Sequence, residues 1–288
     1  MARAPALGRM QTLTVAEVVE AGVRLDGDLF VPHSQLEHPL EAGDPLHVFV
    51  YEGRDGGLEA TTARPAAQLG GFASMRCVAV TGAGAFMDWG LPKDLYVPPH
   101  EQAQRMHEGR DYVVTVCFDR KGERLIGSSH VASHLDYDVS AVRIDDEVSL
   151  LVYGRNDAGF QVIVDQQHRG LVHFGDVIGP MRIGIERTGF VRGVRDDNRL
   201  DIGLARRGKA GMQDAEATVL AALEAAGGHL PLHDRSKPAE IEHHLGLSKK
   251  AFKRGVGRLY KARRITIDDD GIRLAPTDPA DPSEVAQP

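Results

Sequence analysis

The sequence predicts a mainly β chain in which three tandem five-stranded barrels precede a small C-terminal α+β unit. Three observations carry that prediction. First, Asp28-Leu29-Phe30-Val31-Pro32 returns as Asp94-Leu95-Tyr96-Val97-Pro98, an offset of 66 residues that also carries Gly43 onto Gly109 and Val48-Phe49-Val50 onto Val114-Thr115-Val116. Second, apolar residues up to about Arg206 alternate with period two in short runs punctuated by Gly, Asp and Pro, the pattern of strands and turns. Third, the period becomes helical after Arg206-Arg207-Gly208. A weaker third copy of the repeat places Leu171 of Gly170-Leu171-Val172-His173 on Leu95 at offset 76, with Gly184 on Gly109 and Leu200 on Leu125 at offset 75. A one-residue insertion or deletion in a loop would produce that drift.

The second copy shows the elements best. Residues 73–80 alternate, Gly84-Ala85-Phe86-Met87-Asp88 follows a Gly-rich turn, and Leu95-Tyr96-Val97 is a short strand. Residues 112–118 then lead through Arg120-Lys121-Gly122-Glu123 into Leu125-Ile126. Five strands within about 60 residues fit a Greek-key OB barrel, which closes its own sheet edges. The predicted units are 1–64, 65–135 and 136–208.

The C-terminal unit, 209–275, is read from its helix signals. Residues 212–226 are alanine-rich, with Val219, Leu220 and Leu223 on one stripe and Gly227-Gly228 as the stop. Pro238 opens a short helix through Ile241 and Leu245 to Gly246. Ser248 caps a third helix that runs from Lys249 to about Arg264, with Leu247 as its hydrophobic staple. Ile265-Thr266-Ile267, Asp268-Asp269-Asp270-Gly271 and Ile272-Arg273-Leu274 then spell strand, turn and strand. Three helices and a hairpin make a winged helix. The remaining residues, 276–288, are Pro, Asp, Ala and Ser, a composition that predicts a disordered tail.

Composition bounds the function. Lys and Arg number 34 against 41 Asp and Glu, a formal charge of −7, which argues against a protein that coats DNA with its whole surface. Divided along the predicted boundaries, the charge is −5 in 1–64, 0 in 65–135, −2 in 136–208, +3 in 209–275 and −3 in the tail. Nucleic-acid contact is therefore expected to be local, on the second barrel and the basic C-terminal unit. No run approaches the ~18–20 apolar residues of a membrane span, and residues 1–12 lack an export signal, so no membrane contact and a cytoplasmic location are expected. Cys77 and Cys117 have no metal-ligand spacing and read as two buried, reduced thiols.

An OB barrel binds single strands on its second and third strands, where aromatic side chains stack on bases and Arg or Lys hold phosphates. In the second repeat, Phe86, Trp89 and Tyr96 fall on or beside those strands, with Arg76 and Lys93 nearby. In the third, Phe160 and His173 take the corresponding places, with Arg155 and Arg169 near them. Packing in the barrel core is the competing reading for Phe86, Phe160 and Trp89.

These segments resemble a known domain. Gly84-Ala85-Phe86-Met87-Asp88 and Gly170-Leu171-Val172-His173 are similar to the S1 RNA-binding domain, whose pattern runs Gly-Ala-Phe-Val and then Gly-Leu-Val-His. The longer run Gly84-Ala85-Phe86-Met87-Asp88-Trp89-Gly90-Leu91-Pro92-Lys93-Asp94-Leu95, with Ser248-Lys249-Lys250-Ala251-Phe252-Lys253-Arg254 downstream, looks like the conserved virulence factor B family over nearly the whole chain. The resemblance implies three S1-like barrels, a winged helix, RNA binding and a regulatory rather than enzymatic role. The first repeat departs from the pattern, with Ala21-Gly22-Val23-Arg24-Leu25 in place of Gly-Ala-Phe, and reads as degenerate. The third has Gly159-Phe160 without the alanine.

On the third C-terminal helix, Phe252, Val256, Leu259 and Tyr260 form one stripe. Lys249, Lys250, Lys253, Arg254, Arg258 and Lys261 occupy the opposite arc, and no acidic residue interrupts the run from Ser248 to Ile267. That is the place of a recognition helix. Catalytic motifs are not legible. His243-His244 beside Glu240 and Glu242 lacks zincin spacing, and Asp145-Asp146-Glu147 and Asp268-Asp269-Asp270 fall at turns. No cofactor, metal or catalytic residue is expected. The expected partner is single-stranded RNA, with the ribosome or other RNA-processing proteins as further candidates. Two rival readings are a winged-helix regulator of duplex DNA with the barrels as scaffold, and a metal-dependent ribonuclease built on an acidic cluster.

Overall fold

A computed structural model describes residues 5–122, 124–206 and 208–275, without the side chains of 208–212. The predicted tail, 276–288, lies outside the described residues. The first sheet comprises β1 (Met10–Val19), β2 (Gly22–Leu25), β3 (Leu29–Pro32), β4 (Pro45–Glu52) and β5 (Leu58–Thr61) in the order β3-β2-β1-β4-β5. The second comprises β6 (Phe72–Val80), β7 (Ala85–Asp88), β8 (Leu95–Val97), β9 (Asp111–Phe118) and β10 (Leu125–Ser128) in the equivalent order. In both, the two edge strands come together and nearly close the barrel. The third closes fully: β11 (Glu147–Arg155), β12 (Gly159–Val164), β13 (His168–His173), β14 (Glu186–Val194) and β15 (Leu200–Gly203), with β13 and β15 paired in parallel. The predicted class, tandem five-stranded barrels followed by a winged helix, is the class observed.

The barrels repeat in detail. Each first strand carries a bulge at the same place, after Val15, Cys77 and Val152, which tightens the local twist so the sheet can close. At the start of each second strand, or directly before it, stands a glycine whose Cβ would strike a backbone carbonyl of the third strand: Gly22 against Val31 O, Gly84 against Val97 O and Gly159 against Val172 O, at 2.2, 2.5 and 2.1 Å. No other residue fits there. This register corrects the repeat alignment of the third copy. Leu95 pairs with Met87 and Gly170 with Val162, all four buried, so Leu95 corresponds to Gly170 and Tyr96 to Leu171. The offset is 75 from Cys77 to Leu125 without any drift.

The barrels are docked on one another. Phe49 and Tyr51 of β4 belong to the core of the second barrel, where Phe49 meets Trp89 edge to face at 5.7 Å. A separate apolar cluster, Phe72, Val113, Val131, Leu135, Leu151 and Ile163, joins the second barrel to the third. Burial of such side chains stabilises by about 1.5–3 kcal/mol each.

The C-terminal unit folds as its signals predict. Helices α1 (Gly208–Ala225), α2 (Pro238–Leu245) and α3 (Lys249–Lys261) pack Val219, Leu223, Ile241, Leu245, Phe252, Val256 and Leu259 into one core. Ser248 Oγ accepts the N–H of Ala251 at 3.2 Å, and Gly246 ends α2 in the left-handed conformation that favours glycine. Strands β16 (His229–Leu230), β17 (Ile265–Asp268) and β18 (Gly271–Leu274) complete the wing. Tyr260 departs from prediction: it is 55% exposed and does not join the apolar stripe. Cys77 is buried as predicted, but Cys117 is only half-buried. Among the described residues no helix is long and apolar enough to cross a membrane.

Candidate nucleic-acid interface

Alternation decides which side chains each barrel shows. On the second and third strands of each unit, the outward position opposite the core is held by a cross-strand pair: Arg24 and Phe30, then Phe86 and Tyr96, then Gln161 and Leu171. Only the second barrel has two aromatic residues there. Phe86 and Tyr96 are half-exposed, their rings 5.5 Å apart and inclined at 41°, and Tyr96 Oη donates to Ala83 O at 2.6 Å, which fixes the ring. Arg76 is exposed on the neighbouring strand β6, between Asp88 and Asp111 as register partners. Phe86 and Tyr96 are therefore brought together, whereas Arg76 stands opposite Asp88 on β7 with its guanidinium toward Gly109.

Trp89 does not join them. It is 3% exposed, packs on Phe49, and its indole N–H donates to Lys93 O at 2.6 Å. Its role is in the core, and it is not a surface on which a base can stack. The local cause is the turn after β7, closed by Gly90 N–H donating to Asp88 Oδ1, which turns the chain inward at Trp89. Lys93 is half-buried and spans the barrels: Nζ donates to Gly53 O at 2.8 Å and lies 3.7 Å from Glu52.

In the third barrel the predicted residues divide. The outward pair is not an open aromatic face, because Leu171 is 3% exposed beside Tyr153, Arg169 and Arg199. Phe160 has inward parity, pairs with Val172 and lies half-buried at the barrel mouth, in edge contact with Phe174 at 5.6 Å. Arg155 stacks over Phe174 at 4.7 Å and over Phe160 at 5.8 Å, a mixed cation and aromatic cluster. His173 Nε2 is 3.2 Å from Asp201 Oδ1, which also faces Arg195 at 3.8 Å. Arg169 is held away from this cluster: it donates to Ala132 O and lies 4.4 Å over the Tyr137 ring, bracing the connection between the barrels.

The six basic residues of α3 also divide. Lys249 donates to Ser236 O at 2.8 Å, Lys253 lies 3.8 Å from Asp234, and Arg258 pairs with Glu216 at 2.5 Å. Lys250, Arg254 and Lys261 are exposed, and Arg254 Nε reaches only Lys250 O. The wing is acidic at its tip, where Asp268 and Asp270 pair with Arg273. The other acidic run is structurally engaged as well, with Asp145 on Arg192 and Glu147 on Arg206. Among the described residues, no cluster of three or more His, Cys, Asp or Glu has the arrangement to hold a metal ion.

Two aromatic residues at the candidate surfaces were not anticipated as functional. Phe30, 41% exposed, stands where Tyr96 stands in the second barrel. The offset-66 repeat carries that signal directly. Phe174 directly follows His173, and only its packing on Phe160 and Arg155 distinguishes it from any loop aromatic.

Residues 217–274 match the CvfB-like winged helix domain, and residues 7–63 match the S1 domain, which places that match on the repeat read as degenerate. The chain is 27% identical over 270 residues to the uncharacterized protein YitL of Bacillus subtilis strain 168, covering 90% of each. It is 25% identical over 242 residues to conserved virulence factor B of Staphylococcus aureus strain N315, covering 82% of this chain and 81% of the relative. A crystal structure of a multidomain protein with nucleic acid binding domains from Streptococcus pneumoniae TIGR4 aligns over 93% of this chain and 98% of that one, with 24% identity and a TM-score of 0.43. S1 barrels and a winged helix together make a nucleic-acid-binding architecture. The resemblance read from the sequence holds: the chain matches the S1 domain and the CvfB-like winged helix domain and is similar to conserved virulence factor B over most of its length.

Proposed function

We propose that the protein captures single-stranded RNA on the outward face of the second barrel and acts, without chemistry of its own, in post-transcriptional control in the cytoplasm. The observation that carries this reading is the Phe86–Tyr96 pair, half-exposed and adjacent on the strands where OB barrels bind oligonucleotides, with Arg76 exposed on the neighbouring strand β6. The S1 match and the repeated barrel architecture support it. The functional units in this reading are 1–64, 65–135, 136–208 and 209–275. Arg155, Phe160 and His173 form a subsidiary surface on the third barrel, and Lys250, Arg254 and Lys261 add phosphate contacts from α3.

Stacking on one aromatic side chain contributes about 1–3 kcal/mol per base, so loss of Phe86 weakens binding by about fivefold or more. Titration of a labelled single-stranded RNA decamer with the wild-type chain and with Phe86→Ala tests this. Equal affinities would remove the second barrel from the function. The rival reading, duplex DNA recognised by the winged helix, rests on the exposed edge of α3. Replacing Lys250, Arg254 and Lys261 by glutamate separates the two: single-strand RNA binding then partly survives, whereas a DNA regulator loses all binding.

A further inference from the structure

A cleft of about 390 Å³ opens between the first two barrels, with Phe86 and Tyr96 on one wall and Glu52 and Arg54 on the other. Its volume falls in the range of small-ligand pockets, about 300–1,000 Å³, and suits one nucleotide. The barrels meet at its floor. Besides the Phe49–Trp89 contact, Lys93 Nζ donates to Gly53 O at 2.8 Å and Arg54 Nη2 donates to Pro92 O at 2.9 Å, so each barrel is tied to backbone of the other. Glu52 lies 3.7 Å from Lys93 and 3.6 Å from Arg124, and so holds both cations at the rim.

We propose that this cleft is a composite site for one nucleotide of a single-stranded RNA. In it Phe86 and Tyr96 take the base, while Arg54 of the first barrel joins Lys93 and Arg124 on the phosphate. The inference rests on the single-strand reading above and adds that the first barrel, acidic and without the Gly-Ala-Phe element, is part of the binding site. Three cations and three carboxylates (Glu52, Asp55 and Asp94) line the cleft, so it has no blanket positive field. Affinity then comes from stacking and preorganisation, and the loss of one phosphate contact is visible against a shallow salt dependence.

The cleft carries its own reporter, because Trp89 is the chain's single tryptophan and lines it. The experiment titrates the full chain with an unlabelled single-stranded RNA decamer, follows Trp89 fluorescence, and repeats the titration across a salt series. Arg54→Ala is expected to weaken binding about fivefold and to reduce the slope of log K against log salt by about 0.7, the value of one single-strand phosphate contact. Arg54→Lys restores the slope, and Phe86→Ala weakens binding with the slope unchanged. If Arg54→Ala changes neither affinity nor slope while Phe86→Ala still weakens binding, the composite site is overturned and the single-barrel reading stands. Weakened affinity with an unchanged slope makes Arg54 a clamp on Pro92 and overturns its phosphate role. If both variants bind as the wild type does, the single-strand reading itself fails.

Discussion

Replacing Trp89 by alanine should destabilise the first two barrels together. The side chain is 3% exposed, meets Phe49 of the first barrel edge to face at 5.7 Å, and satisfies its N–H on Lys93 O at 2.6 Å. Truncating a buried Trp to Ala costs about 3–5 kcal/mol, because the cavity adds to the lost transfer energy. The aromatic pair alone accounts for about 0.5–1.5 kcal/mol of coupling. Since the cluster unites strands of both barrels, the loss falls on a transition they share. Urea unfolding followed by far-UV circular dichroism measures it, as the substitution removes the only tryptophan. A double-mutant cycle with Phe49→Ala isolates the coupling across the barrel contact. A loss below about 0.5 kcal/mol, typical of surface positions, would refute the buried role and return Trp89 to the list of stacking residues.

Further outcomes follow from the same packing. Burial first, and the Glu101 carboxylate second, push the Cys117 thiol up to about 11, so the fold favours its neutral form. That stability is complete below pH 9 and is lost as pH rises through about 11. Alkylation by iodoacetamide should accordingly be slow at pH 8 and rise about tenfold per pH unit, and rapid labelling at pH 8 would contradict the assignment. Gly159→Ala sets a Cβ 2.1 Å from Val172 O and should cost the third barrel at least about 2 kcal/mol in chemical denaturation. Gly193→Ala, with nothing within 4 Å of the new atom, should be neutral or stabilising by up to about 1 kcal/mol. Equal effects of the two would show that the β12–β13 register is wrong.

Much of this architecture is legible in the residues because strand parity and turn chemistry are local. The Asp-Leu-Phe-Val-Pro repeat, the Gly-rich turn before Phe86, Ser248 at its cap and Gly246 at its stop each act within a few positions, and each element forms where they place it. Phe86 and Tyr96 were legible for the same reason, since alternation alone sets them on one face. Tertiary partners escaped. Nothing near Trp89 in sequence announces Phe49, 40 positions earlier, and nothing near Arg169 announces Tyr137 or Ala132. Arg258 reads as a free cation until Glu216 of α1 is brought beside it. The third-barrel alignment failed on one residue: Leu matched to Leu is persuasive by identity, yet Leu95 points inward and Leu171 outward. Identity of type misled where parity decides.

The position of the contact with single-stranded RNA separates the second barrel from α3 as the binding surface. Ultraviolet crosslinking of the full chain to a single-stranded RNA, followed by tryptic mapping of the modified peptides, measures that contact without substituting any residue. Crosslinks are predicted on the peptides spanning 77–93 and 94–105, which carry Phe86 and Tyr96. Crosslinks confined to α3, with those two peptides unmodified, would contradict the claim that the second barrel is the RNA-binding surface.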